Sequence, residues 1–290
     1  MVNINYLKNP FNYIGGKYKL LPQILPLFPK KIDKFVDLFG GGREVSLNVN
    51  AKQVVYNDKC KPLVNIFRNL DSKFVDEVKE MIDTYKLNKF SKQEFLNLRS
   101  YYNTNLKDKL DRENAVALYC LITHAFNYQI AFNKNREFNM PSGASRSYFS
   151  KSLEDKLVKY IEAIDKKNIS FYSSDFHNLN LDSPEFNDTF YYCDPPYLAT
   201  DGTYNSRDYF CKWSEDYERE LLNLLDIINS KGGKFALSNV TEHKGKENTI
   251  LKEWSKNYNT HYLIKDYNNC NYQTKVKTGN SSIEVLITNY

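Results

Sequence analysis

Apolar residues recur along the chain with two periods. Short runs rich in Val, Ile, Phe and Tyr, bounded by Gly, Asp, Asn or Pro, read as buried strands. They are Phe35–Phe39, Gln53–Asn57, Ile169–Tyr172, Thr189–Cys193, Lys234–Ser238, His261–Asp266 and Ile283–Asn289. Helical spacing marks Ser214–Ser230, where a serine precedes acidic residues as a cap, and Asn248–Asn257. Strands alternating with helices predict an α/β fold with a parallel sheet. From about Lys61 to Lys167 the pattern changes: Pro62–Leu70, Phe74–Lys86, Lys92–Tyr102, Arg112–Ala125 and Leu153–Lys166 all read as helices. Between the last two lies Phe126–Ser150, rich in Asn, aromatic and basic residues. The expected organisation is one domain made of residues 1–60 and 168–290, interrupted after its second strand by a helical insertion, residues 61–167.

Composition changes this picture little. The 290 residues are 41% hydrophobic, enough for a core that needs no disulfide or metal staple. A net charge of +5 permits an anionic partner without demanding one. Only eight residues are Arg, so each is worth locating. The five cysteines (60, 120, 193, 211 and 270) are scattered and odd in number, and the four histidines are far apart. Neither a disulfide framework nor a metal site is expected. There is no apolar signal segment and no run of bilayer length, so a cytoplasmic protein is expected.

Four segments carry candidate chemistry. In Phe35–Val49 a strand ends at Asp37 and three glycines follow before a helix. Glycines let backbone approach a ligand at the carboxyl end of a strand, yet the run fits neither G-x-G-x-x-G nor a P-loop. It reads as a nucleotide site or as a tight strand-to-helix turn. Asp58 closes the next strand about twenty positions on, where it suits a ribose diol or the start of a helix. Lys17 follows a glycine pair in Tyr13–Lys17, at the start of a predicted helix, and suits a cofactor contact or an arm packed on the sheet. The most telling segment is Tyr191–Tyr197, YYCDPPY, in which a buried run delivers Asp194 to the edge of the sheet. Pro195 and Pro196 stiffen the turn and remove two N–H donors, leaving a carboxylate and free carbonyls. An exocyclic amine is a poor nucleophile because its lone pair is delocalised into the ring. Accepting its two hydrogens at Asp194 and the Pro195 carbonyl would free that pair, and Tyr197 offers a face for a base taken out of the duplex.

Together these segments resemble the Dam-type adenine-specific DNA methylase family, over the entire chain and in motif order. The resemblance rests on Tyr13–Lys17 (aromatic-x-G-G-K), Asp37–Gly42, the acidic Asp58, a helical insertion, Asp194–Tyr197 (D-P-P-Y) and a last strand Ser281–Asn289. It implies a Rossmann-like sheet that uses S-adenosylmethionine, with a helical DNA-recognition insertion. Tyr13, Gly15, Gly16, Lys17, Asp58 and Asp194 are then expected at the cofactor. Asp37, Phe39, Gly40 and Gly42 are expected at its methionine end, and Asp175 and Phe176 at its adenine. Asp194, Pro195, Pro196 and Tyr197 would carry the chemistry on an adenine N6 in double-stranded DNA. In the insertion, Asn133 to Pro141 matches the family's N-x-x-x-E-F-N-x-P, which implies DNA contacts from Asn127, Gln129, Asn133, Lys134, Arg136, Asn139 and Arg146. Family members that methylate GATC carry N-G-L-x-R-x-N just before it; here the Gly is Tyr128 and the Arg is Ala131, so GATC is not the expected site. The same turn also serves cytosine N4, RNA bases and protein glutamine, and a DNA-binding protein without catalysis is a further alternative. Whether a cognate restriction endonuclease accompanies the protein is left open.

Overall fold

The computed structural model describes residues 6–10, 13, 15–143, 145–179, 188–200, 213–264 and 282–290. In chain order the strands are β1 (Lys34–Asp37), β2 (Gln53–Asn57), β3 (Ile169–Tyr172), β4 (Thr189–Cys193), β5 (Lys234–His243), β6 (Lys246–Glu247), β7 (Asn259–Leu263) and β8 (Ser282–Thr288). The helices are α1 (Leu21–Ile24), α2 (Glu44–Asn48), α3 (Lys61–Arg68), α4 (Phe74–Thr84), α5 (Lys92–Tyr101), α6 (Arg112–His124), α7 (Lys151–Asp165), α8 (Glu215–Ser230) and α9 (Thr249–Trp254).

The main strands lie in the order β3-β2-β1-β4-β5-β8-β7, with the short β6 paired to β5. The pairings from β3 through β5 are parallel, whereas β8 runs antiparallel to both β5 and β7. Strand alternation divides the core. Val36, Tyr191, Cys193, Phe235 and Leu237 pack under α8 on one face. Phe35, Val54, Phe190, Tyr192 and Ala236 pack with Leu21, Ile24 and Phe28 on the other. The helices between β2 and β3 share a third cluster with Leu47 and Tyr56, so their core is continuous with the sheet.

The strand runs Gln53–Asn57, Ile169–Tyr172 and Thr189–Cys193 coincide with β2, β3 and β4. Other bounds shift by a few residues, as where the strand expected at His261–Asp266 is β7, and two expectations differ more. The strand expected at Lys234–Ser238 continues to His243, because β8 pairs with it throughout and a β6 hairpin extends its end. The helix expected after Lys17 is broken into 3-10 turns on both sides of the four-residue α1, where Pro22 and Pro26 interrupt the i to i−4 ladder. Ser214 caps α8 as its sequence implies, accepting from the Tyr217 amide. Asp266, Ser281 and Ile14, parts of the segments read above, lie outside the described residues.

Candidate active site

The sheet order reverses between β1 and β4, whose carboxyl ends lie side by side with Asp37 registered against Tyr192. Such a reversal splays the following loops apart and leaves a crevice. A cleft with about 1120 Å³ of space between atoms, its open mouth included, occupies this position. It is lined by Tyr13, Gly15, Gly16, Lys17, Asp37, Phe39, Gly40, Gly42, Asp58, Asp175, Phe176, Asp194, Pro195, Pro196 and Tyr197. With Trp213 and Tyr217 also in the lining, residues separated by up to 204 positions converge on one site.

The glycine turn after β1 is shaped by close approach. A methyl group at Gly40 would lie 2.1 Å from the Tyr56 ring, and Gly41 has φ +45°. The Gly41 amide donates to Asp58 Oδ2 at 2.8 Å, and the Cys60 amide donates to Asp58 Oδ1 at 2.7 Å. Asp58 therefore ties the glycine turn to the start of α3 while also facing the cleft.

Asp194 is held at both oxygens. Lys17 Nζ donates to Oδ2 at 2.6 Å and the Tyr197 hydroxyl to Oδ1 at 2.8 Å. Lys17 also donates to the Gly15 carbonyl at 3.0 Å and lies 5.2 Å from the centre of the Tyr197 ring. Burial pushes the Asp194 carboxyl up, and the Lys17 ammonium opposes it. Asp37 is 1% exposed, and its Oδ1 has no hydrogen-bond partner among the described residues. Burial raises its pKa to about 8, against hydrogen bonds from Ser46, with the nearby Asp194 and Asp58 adding to the rise.

At the far end of the cleft, Phe176 packs against Phe39 at 5.5 Å and Trp213 at 5.9 Å between ring centres. Lys59 Nζ lies 2.8 Å from Asp175 Oδ2. Although partial burial works against it, Asp175 is held below the usual carboxylate range by Lys59 and His177. Five carboxylates (Asp37, Glu44, Asp58, Asp175 and Asp194) and two lysines line the cleft. Glu44, Lys59, Trp213 and Tyr217 were not singled out in the sequence. Glu44 and Lys59 directly follow Arg43 and Asp58, but the alternation that sends Glu44 into the cleft depends on the turn. Trp213 and Tyr217 reach it only through the fold.

None of the expected DNA-contacting residues lines the cleft. They lie on the segment after α6, which forms a small hairpin joined at Phe132 and Phe138. Lys134, Asn135 and Arg136 are exposed at its tip; Asn127, Asn139 and Arg146 are also exposed, and Gln129 is half-buried. Arg136 is ion-paired with Asp108 at 3.2 Å. Asn133 is occupied inside the hairpin. Its side-chain Oδ1 accepts from the Asn135 and Glu137 amides, and its NH₂ donates to Glu137 Oε2 at 2.7 Å. Asn103 on the turn continuing α5 anchors the base by exchanging hydrogen bonds with the Phe138 backbone. Asn127, Tyr128, Arg136 and Ser145 all adopt left-handed φ, four of the eight such non-glycine residues described. Among the described residues no helix is long and apolar enough to cross a membrane.

Comparison with known proteins gives the family. The model of D12 class N6 adenine-specific DNA methyltransferases matches residues 13–269. The chain is 47% identical over 291 aligned residues to the type II methyltransferase M.FokI of Planomicrobium okeanokoites, covering 99% of this chain and 43% of that protein. It is 44% identical to the modification methylase StsI of Streptococcus sanguinis, covering 98% of this chain and 43% of the relative. A DNA adenine methylase of Haemophilus influenzae is 27% identical over 193 residues, 65% of this chain and 63% of that protein. The chain thus spans less than half the length of the first two. With its D-P-P-Y turn at the switch point of the sheet, the chain belongs to the D12 class of N6 adenine-specific DNA methyltransferases.

Proposed function

We propose that the chain transfers a methyl group from S-adenosylmethionine to the N6 amine of an adenine turned out of double-stranded DNA, at a specific sequence. The observation that carries this reading is Asp194, held by Lys17 and Tyr197 at the mouth of the cleft where the sheet order reverses. The cleft suits the cofactor's charges: its charged residues are mostly acidic, and the buried Asp37 Oδ1 has no partner among the described residues, leaving it for a cationic group to meet. The aromatic group around Phe176 suits a purine. Tyr13, the glycine turn, Asp37 and Asp58 would hold the cofactor, with Asp175 and Phe176 at its adenine. Bound there, S-adenosylmethionine supplies a methyl already activated by its sulfonium.

The protein's own contribution is positioning. Each Asp194 oxygen retains a lone pair beyond those used by Lys17 and Tyr197, so the carboxylate can still accept a hydrogen of the target amine. The Pro195 carbonyl would accept the other, and the Tyr197 ring would stack on the base. Residues 61–167 act in this reading as the recognition region, with 1–60 and 168–290 as the catalytic part. Asn127, Gln129, Lys134, Arg136, Asn139 and Arg146 meet the DNA, and Asn133 shapes the hairpin that presents them. The left-handed residues concentrated there support this, since such strain gathers at binding segments. The names of the relatives, a type II methyltransferase and a modification methylase, support a modification role; a cytoplasmic location and a cognate restriction endonuclease are part of the same proposal. Replacing Asp194 by Ala tests the reading. Methyl incorporation into DNA is expected to fall by about a hundredfold or more, with the circular dichroism spectrum unchanged. Retention of wild-type turnover would overturn it.

A further inference from the structure

Arg43 lies outside the cleft lining, although its neighbours Gly42 and Glu44 are part of it. Its side chain is fully buried, and none of its three guanidinium nitrogens has a hydrogen-bond partner among the described residues. Four aromatic rings surround it instead: Phe171 at 4.9 Å, Phe67 at 5.1 Å, Tyr160 at 5.5 Å and Tyr56 at 5.9 Å from the guanidinium carbon to the ring centre. The backbone is also in a costly state, at φ +68°. A buried cation without hydrogen bonds and a left-handed L-residue are two penalties at one position. They persist together only where the surroundings impose them. An apolar side chain would fill the same space without desolvating a charge.

The ring that links this cage to the cleft is Tyr56. Its hydroxyl donates to the Gly41 carbonyl at 2.8 Å, and its face is so close to Gly40 that no side chain fits between them. Arg43 also closes the turn through its own amide, which donates to the Gly40 carbonyl at 2.7 Å. We propose that Arg43 is a positioning residue for the cofactor-binding glycine turn. The attraction between its guanidinium and the ring faces fixes Tyr56, and Tyr56 fixes Gly40 and Gly41. This rests on the reading of the cleft as an S-adenosylmethionine site.

Two variants test the proposal. R43M removes the charge and keeps an unbranched stem; Y56F removes only the hydroxyl link and leaves the cage. In the cofactor-free protein, amide hydrogen exchange at Gly40–Gly42 should quicken about tenfold or more in each variant, while the α8 amides keep their rates. The calorimetric Kd for S-adenosylmethionine should rise by about the same factor, and the double variant should be little worse than either single one. The Kd for DNA should not change. Wild-type exchange and wild-type cofactor Kd in folded R43M would overturn the proposal. If R43M does not fold, the same wild-type values in Y56F would overturn it. Failure of the wild-type protein to bind S-adenosylmethionine would refute the underlying reading, and the exchange rates would then judge the role of Arg43 alone.

Discussion

Asp194 and Asp37 face the same cleft but are treated differently by their neighbours. Asp194 has a partner at each oxygen, and one of them is the Tyr197 hydroxyl. Tyr197 thus has two separable parts, a ring for stacking and a hydroxyl that orients the carboxylate. Tyr197→Ala should remove both and cost roughly 1–3 kcal/mol in binding of the flipped base from the lost stack alone. Tyr197→Phe should leave DNA affinity close to wild type but lower turnover; steady-state kinetics and DNA titration of both variants separate the two parts. Equal losses of DNA affinity would contradict the division. Asp37 has a pKa of about 8, far above that of an unfolded aspartate. The folded cofactor-free protein therefore binds a proton that the unfolded chain releases. Stability from this group is complete below about pH 4 and is lost as pH rises towards 8. A cationic cofactor would favour the ionised form. Its binding near neutral pH should then release about one proton and tighten as pH rises to 8. Calorimetry in buffers of different ionisation enthalpy would detect this release in the wild type, and D37N should abolish it. Proton release unchanged in D37N would assign it elsewhere.

At the scale of elements, the cleft depends on two turns, and the hairpin after α6 stands outside its lining. The turn after β4 is stiffened by two prolines and was legible in the sequence, because Asp-Pro-Pro-Tyr after a five-residue buried run has few structural uses. The parallel strands were legible for a related reason: strands buried on both faces are continuous apolar runs. The contribution of Tyr56 was not. It reads as one more strand residue, and only the β1–β2 pairing brings its ring over the glycine turn. Trp213 is equally silent in the sequence, since only the packing of the folded protein brings its ring to Phe176. The hairpin was read as a recognition segment, yet its asparagines proved unequal. Asn133 is spent on the turn, whereas Lys134 and Arg136 are presented at the tip. Arg136 pairs with Asp108 at an exposed site, where such a pair is worth little and can exchange for a phosphate or base. Arg136→Ala should weaken binding to all DNA and flatten the salt dependence if it meets phosphate. It should relax choice at one position by about 1–3 kcal/mol if it reads a base. Cofactor affinity should stay constant in both cases. A changed cofactor Kd with unchanged DNA binding would remove the hairpin from the recognition surface.

Across the whole molecule, the reversal of strand order between β1 and β4 gathers residues from Tyr13 to Tyr217 into one cleft. The helices of residues 61–167 do not stand apart from this sheet, because their apolar core includes Tyr56 and Leu47. Thermal unfolding should accordingly be a single calorimetric transition. Two resolved transitions, with the second removed by cleavage within 61–167, would show that the insertion folds alone. The central claim concerns the atom that receives the methyl group. Double-stranded DNA incubated with the protein and S-adenosylmethionine, digested to nucleosides and separated by liquid chromatography with mass spectrometry, identifies that atom directly. The account predicts N6-methyladenine as the one new nucleoside with the wild type and none with D194A. Methylated cytosine instead, or N6-methyladenine at wild-type yield from D194A, would contradict it.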